Sequence, residues 1–241
     1  LNCYESGWIE CVALIKRFKI INTECLMTDL MAKGKRVLAE DVQGTMLDID
    51  FGSYLYVTSS NTISAGACTG LGISPKKIGK IFGIFKAYCT RVRRGPFPTE
   101  LNDEKGTILR NKGAEFGSTT GRPRRCGWLD IPALKYAIMV NGVTNLFMTK
   151  SDVMSGFDTV RVCTSYLSEG TKCEEIPFGD SEIQPLYTDL PGWKEDIRGI
   201  RDFNKLPVNL KKYIEFIESM TGIPVTMVSV GPDREETIYR Q

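Results

Sequence analysis

Residues 115–128 hold the densest group of side chains suited to chemistry in this chain. Ser118, Thr119 and Thr120 supply hydroxyls, and Arg122, Arg124 and Arg125 follow within a few positions. Gly117, Gly121 and Pro123 keep the segment out of regular structure. Arginine stays charged at any working pH and offers a planar fork of donors that fits carboxylates and phosphates two bonds at a time. Such a loop is suited to gripping small anions, although the same composition describes a solvated basic turn. A second group is Lys150-Ser151-Asp152. The Asp152 carboxylate can accept two hydrogen bonds from the N1–H and exocyclic amine of guanine, a pattern adenine does not offer, while the Lys150 stem can lie over a purine face. On a bare surface a Lys-x-Asp triplet is simply hydrated.

These residues need a frame. Helical spacing over residues 8–19 places Trp8, Val12, Ile15 and Phe18 on one face. Thr23 to Lys33 reads as a second helix closed by Gly34, and Val37-Leu38-Ala39 as a short buried strand. Ser74-Pro75 opens a further helix. Gly83 to Val92 reads as one strand, Asp103 to Lys112 and Asp130 to Val140 as helices, and Val143 to Met148 and Val160 to Tyr166 as strands. Pro207 to Met220 is amphipathic, with Leu210, Tyr213, Ile214 and Ile217 on one face, and Pro224 to Val230 is a last strand. Interleaved helices and strands predict an α/β fold with a largely parallel sheet flanked by helices. Lys150 and Asp152 then fall at the carboxyl end of a strand, where open α/β sheets bind ligands.

Composition sets bounds on this reading. The chain has 241 residues, 42% apolar and 25% charged, enough for a sizeable core in one or two domains. Lys and Arg number 31 against 29 Asp and Glu, so the charge balance gives no pull toward nucleic acid or membranes. Nor does any apolar run approach a membrane span. The eight cysteines show no C-x-x-C pair and no histidine accompanies them, so no zinc site is expected. Reduced thiols in apolar places fit a cytoplasmic protein. Without histidine the commonest general acid or base is missing, so chemistry must rest on charge and positioning.

Longer motifs add a resemblance. The stretches 44–52, 56–62 and 95–101, then Gly127-Trp128-Leu129-Asp130, Thr149-Lys150-Ser151-Asp152, Leu190-Pro191-Gly192-Trp193 and Val228 to Arg234, run in the order and form that resemble adenylosuccinate synthetases. The similarity extends from about residue 34 to the C-terminus. It implies the fold of those enzymes, which is P-loop NTPase-like, with residues 1–241 as the C-terminal part of a single domain and the N-terminal part absent. The implied reaction is the GTP-dependent joining of L-aspartate to IMP in purine biosynthesis, giving adenylosuccinate, GDP and phosphate, with Mg²⁺ on the nucleotide oxygens. Mg²⁺ ligands and catalytic residues are not among the positions that match. By this resemblance Gln43, Thr58 and Arg122 bind IMP. Ser118, Thr119, Thr120, Gly121, Arg122, Pro123 and Arg124 hold aspartate. Arg124, Lys150, Ser151, Asp152, Ser229, Val230 and Gly231 contact GTP. A homodimer that binds neither nucleic acid nor membrane is implied as well.

Departures accompany the match. No glycine-rich phosphate loop precedes residue 34, and the catalytic Asp, Lys and His of such enzymes have no counterpart, so the chain alone is expected to be inactive. Asp41 stands where the family usually has glycine, Leu55 where it has proline and Ser151 where it has leucine, and Arg93-Arg94 replace smaller residues. Ile63-Ser64-Ala65-Gly66 is altered too. A relative that binds nucleotide or a partner subunit without turnover therefore stands beside the enzyme reading. A nucleic-acid binder is disfavoured, because no aromatics interleave the basic residues.

Overall fold

The computed structural model describes residues 2–92, 94–177 and 183–240, arranged as two compact units. The first unit comprises residues 1–42 and 64–78. It contains helices α1 (Asn2–Ile15), α2 (Thr23–Ala32) and α3 (Gly66–Leu71), followed by a single 3-10 turn at Pro75–Lys77. Helix α2 starts where Asn22 accepts a hydrogen bond from the Cys25 amide at 3.3 Å, one residue ahead of the threonine expected to start it. Helix α1 ends at Ile15, and its expected apolar face is open, with Trp8 70% exposed. The strand expected at Val37–Ala39 is absent. Leu38 is 83% exposed, and no described strand pairs with this stretch to satisfy its backbone. The helix expected from Ser74 is a single turn, after which Ile78 is already extended.

The second unit comprises residues 43–63 and 79–241. In chain order it holds β1 (Phe82–Lys86), β2 (Cys89–Arg91), α4 (Glu104–Lys112), β3 (Arg125–Gly127), β4 (Leu129–Asp130), α5 (Ile131–Asn141) and β5 (Asn145–Thr149). Then come β6 (Thr159–Ser168), β7 (Thr171–Cys173), β8 (Ile183–Pro191), α6 (Val208–Thr221), β9 (Val225–Ser229) and β10 (Thr237–Tyr239). The main sheet runs β1-β5-β9-β10, parallel across its first three strands and closed by antiparallel β10. A second sheet is built on β6, with β4 parallel to it and β7 and β8 antiparallel. The stretch expected as one strand from Gly83 to Val92 is two strands in different sheets, because the chain turns at Ala87 and Tyr88, both buried.

Local sequence explains most of these boundaries. Asp103 and Asp130 each accept an amide bond at the start of α4 and α5, and Gly142 and Gly222 end α5 and α6 in the left-handed region. Leu210, Tyr213, Ile214 and Ile217 of α6 are fully buried in one core with Leu146, Met148, Val225 and Val228 of the main sheet. Burying each such aliphatic side chain contributes roughly 1.5–3 kcal/mol. The result fixes β5 beside β9, and the chain segments that leave their carboxyl ends are thereby set side by side.

Candidate functional site

Met148 of β5 pairs with Val228 of β9, so the residues just beyond these strands emerge together. Lys150 leaves β5 in the left-handed region, at φ 58°, and leads into a 3-10 turn at Ser151–Met154. The Ser151 hydroxyl is buried and donates to the Ser229 carbonyl, tying one segment to the other. Asp152 is close to buried, with the Arg198 Nε 3.6 Å from its Oδ2. Across the gap, Ser229 Oγ donates to the Gly231 carbonyl at 2.7 Å, and the buried Val230 donates its amide to Glu236 at 2.8 Å. Gly231 does not have a positive φ, and what lies close to its Cα is the end of the Glu236 side chain. A Cβ there would stand 2.1 Å from a Glu236 carboxylate oxygen. The purine-reading segments predicted from sequence are thus brought together.

The arginine loop is a narrow turn. Phe116 and Pro123 bridge its neck, the Gly117 amide donates to the Arg122 carbonyl at 2.9 Å, and the Gly121 amide donates to the Gly117 carbonyl at 2.8 Å. Gly121 sits at φ 63°, which suits a residue without a Cβ. Ser118, Thr119, Thr120, Gly121, Arg122 and Pro123 are all exposed at its tip. Arg124 turns inward instead. Its Nη1 donates to Glu115 Oε2 at 3.0 Å, while its Nε is buried and without a partner. Arg125 is structural: its guanidinium grips Glu100 through two nitrogens, donates to the Gly95 carbonyl at 2.8 Å and lies over the Phe97 ring.

Sequence reasoning missed the group that joins these two segments. Glu115 is 0% exposed, and its Oε1 accepts from Lys86 Nζ and Tyr88 OH at 2.7 Å each. Lys150 Nζ lies 3.2 Å from the same oxygen and also donates to the Gly113 carbonyl. Burial would raise the Glu115 pKa, but the hydrogen bonds from Lys86 and Tyr88 and the charges of Lys86 and Lys150 outweigh it and bring it down to about 2. Burial wins at Lys86, whose pKa is lowered despite Glu115. One signal was present in the sequence: Glu115 is the sole acid in the arginine segment. Three cations around one carboxylate leave excess positive charge at the foot of the loop.

Gln43 and Thr58 lie in a separate loop of the same unit. The buried Asp48 carboxylate closes that loop by accepting from the amides of Asp50, Phe51 and Thr62 at 2.9, 3.0 and 2.6 Å. Burial opposes ionisation of Asp48, and these amides reverse the effect and lower its pKa. Tyr136 and Asn141 of α5 reach the loop through the Phe51 carbonyl and Thr45 hydroxyl, at 2.7 and 2.9 Å. Gln43 is exposed at φ 74°, and the half-buried Thr58 donates its amide to Leu47 at 2.8 Å. Asp41 is exposed, and Arg93 lies outside the described residues. The donor set does not fit Mg²⁺. No group of three His, Cys, Asp or Glu gathers among the described residues, and Glu115 and Asp152 are already engaged by cations.

The adenylosuccinate synthetase family profile matches residues 5–238, so the likeness begins well before residue 34. The adenylosuccinate synthetase of Parabacteroides distasonis is 54% identical over 98% of this chain and 56% of its own length. That of Azobacteroides pseudotrichonymphae is 56% identical over 98% of this chain and 57% of its own. The solved structure of fully ligated adenylosuccinate synthetase from Plasmodium falciparum superposes with a TM-score of 0.89 at 42% identity, covering 92% of this chain and 54% of that one. The chain spans about half the length of the curated relatives it matches. Among the described residues no helix is long and apolar enough to cross a membrane.

Proposed function

The chain belongs to the adenylosuccinate synthetase family, and from that premise we propose that it supplies the guanine, aspartate and IMP contacts for GTP-dependent joining of L-aspartate to IMP. Asp152 accepts from the guanine N1–H and amine, the Lys150 stem covers the base, and Ser151 holds both against the backbone of Ser229, Val230 and Gly231. Ser118, Thr119 and Thr120 offer hydroxyl and amide donors to the aspartate carboxylates, and Gly121 in its left-handed conformation turns the loop that presents them. Pro123 shapes the neck of that loop, Arg122 reaches both aspartate and IMP, and Arg124 reaches aspartate and the GTP side. Gln43 and Thr58 hold the hypoxanthine and phosphate ends of IMP. In the reaction the GTP γ-phosphoryl moves to the 6-oxygen of IMP, and the aspartate amine then displaces phosphate, leaving adenylosuccinate and GDP. Fixed guanidinium groups stabilise the charge that develops. Mg²⁺ would neutralise the nucleotide phosphates, with ligands drawn from outside the described residues. In this reading residues 1–241 are the C-terminal part of one synthetase domain, acting in a cytoplasmic homodimer without nucleic acid or membrane.

The observation that carries this reading is the Ser151 bond to Ser229, which joins the two segments expected to read guanine. Calorimetry with GTP, ATP and IMP tests it. GTP is expected to bind at least tenfold more tightly than ATP, and equal affinities would remove the assignment. The chain has no histidine, and the acids Glu115 and Asp152 are paired with cations, which favours a second reading: binding without turnover. Phosphate release from GTP, IMP and aspartate by this chain alone would exclude that second reading.

A further inference from the structure

Glu115 opens the arginine segment and reaches across to Lys150 of the other half of the site. Its backbone fixes its place, with the amide donating to the Arg110 carbonyl at 2.9 Å and the carbonyl accepting from the Arg124 amide at 2.8 Å. Its side chain gives one oxygen to Arg124 and the other to Lys86, Tyr88 and Lys150. A carboxylate this deeply buried persists only when paired, and its removal would leave three cations crowded without a counter-charge. Repulsion would then drive Arg124 and Lys150 apart. The unpartnered Nε of Arg124 shows that the inner face of this guanidinium is not otherwise anchored through that atom.

We propose that Glu115 is a positioning residue that sets Arg124 and Lys150 against one shared carboxylate, so that the anion-gripping loop and the purine-reading turn are ordered together. The identity of the ligands rests on the function proposed above, whereas the joint ordering does not. Since both halves draw on one group, a dicarboxylate bound at the loop and a guanine nucleotide bound at the turn are coupled, and linkage makes the coupling equal in both directions.

Hydrogen exchange of the ligand-free chain separates the two claims. Glu115→Gln is expected to speed exchange about tenfold or more at the hydrogen-bonded amides of both 117–124 and 150–154, Gly117, Gly121, Arg124 and Val153 among them, while β6 keeps wild-type protection. The same variant should lose about tenfold in affinity for GDP and for succinate. Glu115→Asp, which keeps the charge but falls short, should show smaller changes of the same sign, and it serves if the glutamine variant does not fold. Faster exchange at only one of the two segments, at neither, or uniformly through β6 would overturn the proposal. So would unchanged affinity for a ligand that the wild type binds. If the wild type binds GDP and ADP equally, the guanine reading of Lys150 and Asp152 falls, and the exchange result still decides the role of Glu115.

Discussion

A carboxylate can read a base only if it is free to accept. Asp152 has Arg198 as its neighbour, 3.6 Å away and more than half exposed, so the pair is loose enough to open for a ligand. Asp152→Asn replaces two acceptors by one acceptor and one donor and should cost about 1.5–3 kcal/mol of GTP affinity, with ATP unaffected. Competitive binding of the two nucleotides measures this directly. The Glu115 carboxyl titrates differently in the folded and unfolded chains. Its pKa of about 2 lies below the ordinary 4.5, so its stabilisation is present above about pH 4.5 and is lost as pH falls toward 2. The burial cost carried by Lys86 reduces the net effect. The stability gap between wild type and Glu115→Gln should therefore shrink by about 1–3 kcal/mol between pH 5 and pH 3 in urea titrations.

At the scale of elements, Asp130 joins a helix start to a sheet. It accepts the Ala133 amide of α5 at 3.1 Å and the Tyr166 hydroxyl of β6 at 2.6 Å. Burial raises its pKa, an effect that these two bonds only partly offset. Asp130→Ala removes a cap and strands a buried hydroxyl, so a loss of about 2–4 kcal/mol is expected. Tyr166→Phe removes one bond and its donor together and should cost about 1 kcal/mol. Equal losses in denaturant melts would contradict this division. The helix starts at Asp103 and Asp130 and the stops at Gly142 and Gly222 were legible because capping and left-handed closure are local chemistry. The turn at Ala87-Tyr88 was not, since it depends on where Tyr88 finds Glu115, twenty-seven positions further along. Likewise the strand expected at Val37–Ala39 had the right residues and no described strand to pair with. Partner choice is non-local, and periodicity does not contain it.

For the whole molecule, ligand binding offers the broadest check. The sequence placed Lys150–Asp152 and Ser229–Gly231 at the ends of two strands, and the folded chain sets those ends side by side, but the carboxylate that Lys150 shares with Arg124 required the folded chain. A ligand that binds only the folded state stabilises it by RT ln(1 + [L]/Kd), about 2.7 kcal/mol at a hundredfold excess. For a chain of this size that corresponds to a rise in melting midpoint of roughly 5–10 °C. GTP should produce such a rise and ATP at the same concentration should not. The protection should appear first in the unit comprising residues 43–63 and 79–241, which carries both segments proposed to read the purine. Within it, exchange should slow at 150–154 and 229–231, where the Ser151 bond to Ser229 makes closing one segment close the other. Ser151→Ala removes that bond at little cost in volume. It should leave the unliganded midpoint within a few degrees while reducing the GTP-dependent rise by about half, as expected when two binding segments must be ordered separately at the moment of binding.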